Sequence, residues 1–248
     1  MEKGVHLTRE DRDDKEVRRT EIIPDYLKNP LGSVLISCGD TKVICTAMIE
    51  DSVPPWMAYD DDNNEGWLTS RYGMLPGSGD SRIQRETRGV RGRTKEIQRI
   101  IGRSLRAALD MEKLGPRTVW IDCDVIQADG GTRTASVTGA WVALKLALSK
   151  LIEAGDLDED PIIKQVAAVS VGLVDGKVLT DLCYKEDSSA EVDMNVAMDI
   201  DGNYIEVQAT GEAGVFSREQ LDEMLDAASE GISQLLEVQN SALEFSKD

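Results

Sequence analysis

Residues 122–136, DCDVIQADGGTRTAS, join a strand pattern to a helix pattern through two consecutive glycines. Apolar and polar residues alternate over residues 118–127, which predicts a half-buried strand. Over residues 134–151 the spacing becomes helical, with an apolar stripe that contains Val137, Trp141, Leu144 and Leu148. The stretch therefore predicts a strand, a glycine turn and a long helix in direct succession.

The residues on either side of this stretch predict hairpins and further helices. Three pairs of apolar runs flank short turns, namely residues 33–36 with 42–49, 166–174 with 177–184, and 191–198 with 203–208. Helical spacing predicts one helix over residues 93–114 and another that starts at a capping box of Ser217 and Gln220. Strand groups interleaved with helices indicate the α+β class, with mixed sheets packed against helices.

The length and the N-terminal composition bound the domain organisation. A chain of 248 residues suits one domain, and we expect a charged, loosely held leader over residues 1–20 and a single domain over residues 21–248. The N-terminal region lacks the apolar core of a signal peptide, and no apolar run approaches the roughly 18 residues of a membrane span. We therefore expect a cytoplasmic protein that does not enter a membrane.

The numbers and spacing of the cysteines and histidines limit which kinds of catalytic and metal site are possible. The four cysteines form no CxxC pair, which argues against zinc-ribbon and thioredoxin-type sites and is typical of reduced, mostly buried thiols. The only histidine is His6, so a histidine-based triad and a multi-histidine metal site are both disfavoured. Any chemistry has to use carboxylates, arginines, hydroxyls and the backbone.

The charge distribution contains one basic segment in an acidic chain. The formal net charge is −18, but residues 82–106 hold nine basic and two acidic residues, so this window carries +7 and leaves −25 elsewhere. Eight of the nine basic residues are arginine, whose planar fork suits phosphate. Arg99, Arg103 and Arg106 share one face of the predicted helix. This density favours contact with an anion or a nucleic acid; the alternative is a solvated basic face.

The glycine turn itself has the features of an anion site. Gly130 and Gly131 let the backbone approach a ligand, and the free N–H groups of a helix start favour an anion. Thr132 and Ser136 add hydroxyl donors, and Arg133 adds a guanidinium that can make paired hydrogen bonds to a phosphate. The alternative is an ordinary glycine turn with a capping threonine, since the motif is neither a Walker A loop nor GxGxxG.

A carboxylate cluster follows in residues 184–195, YKEDSSAEVDMN. If residues 191–198 are extended, Glu191, Asp193 and Asn195 share one face, and Asp187 lies in the turn before them. Converging carboxylates without histidine suit Mg²⁺, while the alternative is an acidic turn beside an edge strand. Together with a phosphate cradle and arginines, such carboxylates are the parts that phosphoryl transfer uses.

From about residue 12 to residue 236 the sequence resembles the ribonuclease PH family of bacterial phosphate-dependent 3′→5′ exoribonucleases. The matching motifs are residues 32–36 (GSVLI), 41–47 (TKVICTA), 92–94 (GRT), 96–99 (EIQR), 122–136, 186–188 (EDS) and 190–195 (AEVDMN). The resemblance implies a fold like domain 2 of ribosomal protein S5 and a homohexamer built as a trimer of dimers. It also implies trimming of tRNA precursors and other RNA 3′ ends, with inorganic phosphate as co-substrate and nucleoside diphosphates as products.

The resemblance further implies roles for single residues. Phosphate binding falls on Arg93, Gly131, Thr132 and Arg133. Mg²⁺ binding and acid or base roles fall on Asp187 and Asp193. Ring assembly and RNA contact fall on Arg82 and Arg85, and we add Arg99 and Arg103 of the basic helix face as further RNA contacts.

Departures from the family pattern and two rival functions accompany this hypothesis. The family usually has arginine where this chain has Gly77, and the loop over residues 60–65 is unusually acidic. The main rival is a non-catalytic RNA-binding ring subunit of an exosome-like assembly. Such subunits lose the phosphate arginine or the aspartates, and this chain retains Arg93, Asp187 and Asp193. A small-molecule nucleotide phosphatase is disfavoured by the arginine-rich segment.

Overall fold

The computed structural model describes residue 9 and residues 12–58 and 64–245. The strands in these residues are β1 (Thr20–Pro24), β2 (Gly32–Cys38), β3 (Thr41–Glu50), β4 (Trp67–Met74), β5 (Thr118–Gln127), β6 (Val166–Val174), β7 (Lys177–Thr180), β8 (Val192–Asp199) and β9 (Tyr204–Gly211). The helices are α1 (Gly92–Arg106), α2 (Met111–Leu114), α3 (Thr132–Ala154), α4 (Tyr184–Ser189) and α5 (Arg218–Phe245).

The strands form two sheets. The first has the order β1-β2-β3-β5-β4, in which the β5–β4 pair is parallel and the other neighbours are antiparallel. The second has the order β7-β6-β8-β9 and is antiparallel throughout. The predicted α+β class of mixed sheets and helices is confirmed.

Helix α3 lies in the core between the two sheets. It packs against β2 and β3 of the first sheet and β6 of the second, while α5 packs against β6 and β7. Residues 134–144 of α3 are buried without interruption, so this helix is buried around most of its circumference rather than along one stripe. A Cβ on Gly32 of β2 would lie 1.9 Å from the carbonyl oxygen of Ala143, which shows how closely α3 approaches the sheet.

The burial of α3 also bears on the membrane prediction. Among the described residues, Thr132–Ala154 is long and apolar enough to cross a membrane by length and composition alone. However, 72% of its most apolar window is buried inside the protein. This is the pattern of a core helix.

The predicted hairpins are present with small changes at their ends. The turn at Asp175-Gly176 has φ of +50° and +74°, as a type I′ turn requires. The following strand ends at Thr180 rather than at residue 184, because the chain turns at Asp181 (φ +55°) and begins α4 at Tyr184. Asp187 therefore lies on a short helix and not in a turn.

The predicted helix over residues 93–114 is wrong in its second half. Helix α1 ends at Arg106, and Asp110 then caps the separate helix α2 by accepting hydrogen bonds from the backbone of Glu112 and Lys113. The backbone N–H of Asp110 donates to Pro161 O at 2.8 Å. The intervening residues thus leave the helix to meet the segment before β6.

Several further features differ from or extend the sequence analysis. Strands β1 and β4 were not predicted. The described part of the leader is not loosely held, because Arg18 is 6% exposed and Arg9 pairs with Glu186 at 2.6 Å. Residues 1–8, 10 and 11, with His6, lie outside the described residues, as do residues 60–63 of the acidic loop. Cys38, Cys45 and Cys123 are free and buried, as expected of structural thiols.

Candidate active site

A cavity of about 330 Å³ opens where α1, α3 and α4 begin, beside strands β6 and β8. It brings together all six residues that the sequence assigned to phosphate and metal binding: Arg93, Gly131, Thr132, Arg133, Asp187 and Asp193. These residues come from positions as far apart as 93 and 193, so their convergence is a property of the fold.

The glycine turn, residues 128–131, forms one wall of this cavity and leads into α3. Gly130 and Gly131 have φ of +74° and +63°, a conformation that residues with a Cβ adopt only with strain. A Cβ on Gly130 would also lie 2.5 Å from Leu182 O and 2.8 Å from Tyr184 N. Gly130 therefore lets the turn press directly against the start of α4.

The hydroxyl groups at the turn divide into two kinds. Thr132 lines the cavity, and its Oγ1 lies 2.8 Å from the hydroxyl oxygen of Tyr72, within hydrogen-bond distance. Ser136 is fully buried, and its hydroxyl donates to Thr132 O at 2.7 Å. The prediction that Ser136 adds a donor for an anion is therefore wrong, because its hydrogen bond is used inside α3.

The two arginines of the cavity come from the first turns of two different helices. Arg133 extends from the first turn of α3, where its Nη1 donates to Gln208 Oε1 of β9 at 3.3 Å. Arg93 lies exposed in the first turn of α1. Both charges act on Asp187, since each lowers the pKa of that carboxyl. The cavity thus places two guanidinium groups near a carboxylate.

The carboxylates of the cavity repel each other. Burial raises the pKa of Asp187 above its ordinary value, despite the two arginines. Burial also raises the pKa of Asp193, and the charge of Asp187 raises it further. The side-chain amide of Asn195 donates to both oxygens of Asp193, at 3.3 and 3.2 Å. Glu191, which was predicted to share this face, is exposed and does not line the cavity.

The oxygen atoms that Asp187 and Asp193 offer show whether the two carboxylates could hold a cation. The described residues contain no group of three or more His, Cys, Asp or Glu side chains placed to hold a metal. Two half-buried carboxylates with raised pKa values are nevertheless a setting in which a cation relieves repulsion. Mg²⁺ keeps several waters and takes only one or two protein carboxylates, so Asp187 and Asp193 fit it.

The four arginines predicted to contact RNA lie in two different places. Arg82 and Arg85 are exposed on the segment between β4 and α1, and Arg85 lines a second cavity of about 440 Å³. This second cavity shares Arg93 with the first. Arg99 and Arg103 instead reach Glu206 of β9, at 3.4 and 3.0 Å. The basic segment is therefore part cavity wall and part ion-paired helix face.

Some residues of the cavity were missed in the sequence. Asp80 and Ser81 come from the irregular segment after β4, and Ser170 comes from the middle of β6. Ser170 carried a signal, since it is the only polar residue in the apolar run VAAVSVGLV. Tyr184, which is 57% exposed, also lines the cavity.

An α+β fold whose cavity sets two arginines and a glycine turn against paired carboxylates belongs to the class of proteins that act on phosphate groups. The sequence matches the models of two domains of one family, domain 1 of the 3′ exoribonuclease family over residues 16–149 and domain 2 over residues 164–231. The chain belongs to the 3′ exoribonuclease family.

Relatives agree with this assignment. The chain is 55% identical to ribonuclease PH of Bacillus cereus (strain AH820) and to that of Bacillus anthracis, over 94% of this chain and 95% of each relative. Among solved structures it is similar to the Archaeoglobus fulgidus exosome with RNA bound to the active site (TM-score 0.75, 26% identity, 91% of this chain and 90% of that one). It also shares its fold with rice (Oryza sativa) Rrp46 (TM-score 0.75, 16% identity, 94% of this chain and 98% of that one).

Proposed function

We propose that this chain is a phosphate-dependent 3′→5′ exoribonuclease that trims the 3′ ends of tRNA precursors and other RNAs in the cytoplasm. Each cycle consumes inorganic phosphate and releases a nucleoside diphosphate, and the reverse reaction extends RNA. The observation that carries the proposal is the single cavity that holds Arg93, the glycine turn, Asp187 and Asp193. The proposal is further supported by 55% identity to ribonuclease PH along nearly the whole chain.

The attacking phosphate is the first ligand to be placed. Arg93, Arg133, Thr132 and the backbone at Gly131 hold it by charge-assisted hydrogen bonds. One of its oxygens attacks the phosphorus of the terminal phosphodiester, and the bond from that phosphorus to the 3′ oxygen of the preceding nucleotide breaks. The departing nucleotide leaves as a nucleoside 5′-diphosphate, and the shortened RNA keeps a free 3′ hydroxyl once its oxygen has gained a proton.

Two kinds of group on the chain lower the barrier to this step. The phosphate and the phosphodiester repel each other at short range, and the fixed arginines offset that repulsion and stabilise the transferring group. The 3′ oxygen needs a proton, which Asp193 supplies directly or through a water that it orients.

Asp187 and Asp193 would also hold Mg²⁺. When bound, the ion supplies positive charge that shields the transferring phosphoryl oxygens. Calorimetric titration with Mg²⁺ tests this assignment without reference to activity. Asp193→Asn should abolish binding, whereas Glu191→Gln removes a nearby charge outside the cavity and should preserve it. Equal Mg²⁺ binding by both variants would show that Asp193 is not a ligand of the ion.

The remaining expectations complete the proposal. Residues 21–248 form the catalytic domain, with residues 1–20 as an N-terminal extension, and the chain assembles as a homohexamer, a trimer of dimers. Arg82 and Arg85 contribute to ring assembly and RNA contact, and Arg99 and Arg103 contribute further RNA contacts. Sedimentation equilibrium should therefore give the mass of six chains, and a monomer at micromolar concentration would contradict the ring.

One incubation tests the function. The protein is mixed with a 3′-extended tRNA and Mg²⁺, with and without inorganic phosphate, and the products are separated by chromatography. Nucleoside diphosphates should appear only with phosphate. Nucleoside monophosphates in both samples would indicate a hydrolase, and tRNA binding with no product in either sample would indicate a non-catalytic ring subunit.

A further inference from the structure

The described part of the N-terminal segment contributes a buried ion pair that lies directly behind the glycine turn. Nε and Nη2 of Arg18 donate to the two carboxylate oxygens of Asp181, at 2.9 and 2.7 Å. The backbone N–H of Arg18 donates to the same carboxylate at 2.8 Å. Both residues are 6% exposed. Because a buried ion pair generally contributes no more stability than apolar packing, its presence calls for an explanation other than stability.

The remaining donors of Arg18 hold the backbone of the turn. Its Nη1 donates to Asp129 O at 2.5 Å, and its Nη2 lies 3.4 Å from Gly130 O. Thr41 assists, since its hydroxyl donates to Gly130 O at 2.6 Å. A Cβ added to Gly131 would lie 2.9 Å from Nη2 of Arg18, so the guanidinium fills the space immediately behind the turn.

Asp181 connects the same guanidinium to strand β6, which contributes Ser170 to the cavity. Its backbone N–H donates to Ser170 O at 2.6 Å, and Ser170 lines the cavity. Asp181 adopts φ of +55°, an uncommon conformation for a residue other than glycine, and α4 begins three residues later. Burial alone would raise the pKa of Asp181, but the hydrogen bonds and charge of Arg18 outweigh it and lower that pKa. The pair is therefore ionised at neutral pH.

We propose that Arg18 is a positioning residue for the phosphate: paired with Asp181, it fixes the carbonyls of Asp129 and Gly130, so that Gly131 and Thr132 meet the anion at a set distance from Asp187. This inference rests on the proposed function. Arg18 does not line the cavity, and its charge is matched by Asp181, so it acts through the turn and does not touch phosphate itself.

The test compares two arginines whose side chains are buried and which both pair with Asp181. Arg12 contacts Asp181 and Glu186, at 2.8 Å from Asp181 O, but its described hydrogen bonds include none to residues 128–133. Lysine at position 18 keeps the charge beside Asp181 but cannot reach its carboxylate and two carbonyls together. Arg18→Lys should raise the KM for phosphate roughly tenfold, with kcat and the KM for RNA little changed. Arg12→Lys should lower the melting temperature to a similar extent and leave the KM for phosphate unchanged.

Several outcomes decide the matter. An unchanged KM for phosphate in Arg18→Lys, or an equal increase in both variants, would show that Arg18 serves stability alone. If Arg18→Lys does not fold, Asp181→Asn takes its place, because it keeps the side-chain shape and one acceptor; it should raise the same KM by a smaller factor. Calorimetric binding of inorganic phosphate repeats the comparison without RNA. Failure of the unsubstituted protein to use phosphate would overturn the proposed function itself, whereas normal use of phosphate by the variants would overturn only the role of Arg18.

Discussion

Substituting Gly130 with alanine tests whether the close approach of the glycine turn to α4 sets the active-site geometry. The added Cβ would lie 2.5 Å from Leu182 O, whereas ordinary van der Waals contact begins at 3.4 Å. The turn and the start of α4 must therefore separate by about 1 Å, and a misplacement of that size lowers catalysis by roughly 100-fold. The positive φ adds a strain of about 1 kcal/mol, and the overpacking a further 1–3 kcal/mol or so.

Gly176 offers a matched control for this prediction. It has the same φ of +74°, and a Cβ at that position meets no described atom within 4 Å. Gly176→Ala should therefore be less stable by only about 1 kcal/mol, the cost of the strained φ, and should keep full activity. Urea unfolding measures the free energies of the two variants, and release of nucleoside diphosphate from a 3′-extended tRNA measures their activity. Equal stability and equal activity of the two variants would refute the role of the close approach.

Three further predictions concern the anion, the RNA and the pH dependence of stability. Arg93→Ala should lower phosphate-dependent cleavage on the order of 100-fold with tRNA binding barely changed, and Arg93→Lys should restore only part of it; normal cleavage by the alanine variant at low phosphate would contradict the assignment. Gly77 is exposed, lies outside the left-handed region, and has open space at its Cβ, so arginine fits there without strain. Gly77→Arg should therefore steepen the plot of log binding constant for tRNA against log salt concentration by about one. Filter binding of the two proteins over a series of salt concentrations measures both slopes. An unchanged slope would show that no phosphate contact forms. The lowered pKa of Asp181 means that its contribution to stability is full above the unfolded value of about 3.8 and is lost as the pH falls through the lower folded value. Urea unfolding should thus show the stability difference between the unsubstituted protein and Asp181→Asn shrinking below pH 3.8 and constant above it; a difference that stayed constant to the lowest pH would contradict the ion pair.

Local turn chemistry explains which parts of the fold could be predicted. The hairpin at Asp175-Gly176 depends on two residues that accept positive φ, and such a signal is readable over four positions. Strand β4 (Trp67–Met74) carries no comparable signal, because it pairs in parallel with β5, whose partner residues lie about fifty positions later. Its sequence is an edge-strand sequence whose pairing is decided by tertiary packing.

In the active site, too, some features could be predicted from the sequence and others depend on tertiary structure. The motif over residues 128–136 marks the glycine turn by itself, and the resemblance to a family marks Asp187 and Asp193. What the sequence could not show is that β8 pairs with β6 in the register that sets Asn195 opposite Ser170, which brings Asp193 into the cavity. The ion pair of Arg18 with Asp181 joins positions 163 residues apart and leaves no periodic trace.

The structure also divides the basic segment in a way that its composition conceals. Arg99 and Arg103 both pair with Glu206, whose side chain is 12% exposed, so part of their charge is balanced within the protein. Arg82, Arg85 and Arg88 are exposed on the segment before α1, which adjoins the cavity. Since the salt dependence of RNA binding counts neutralised phosphates, the exposed arginines of that segment should dominate it. An acidic chain can then bind RNA because its repulsion is screened within about 8 Å at physiological salt, whereas these arginines meet the phosphates directly.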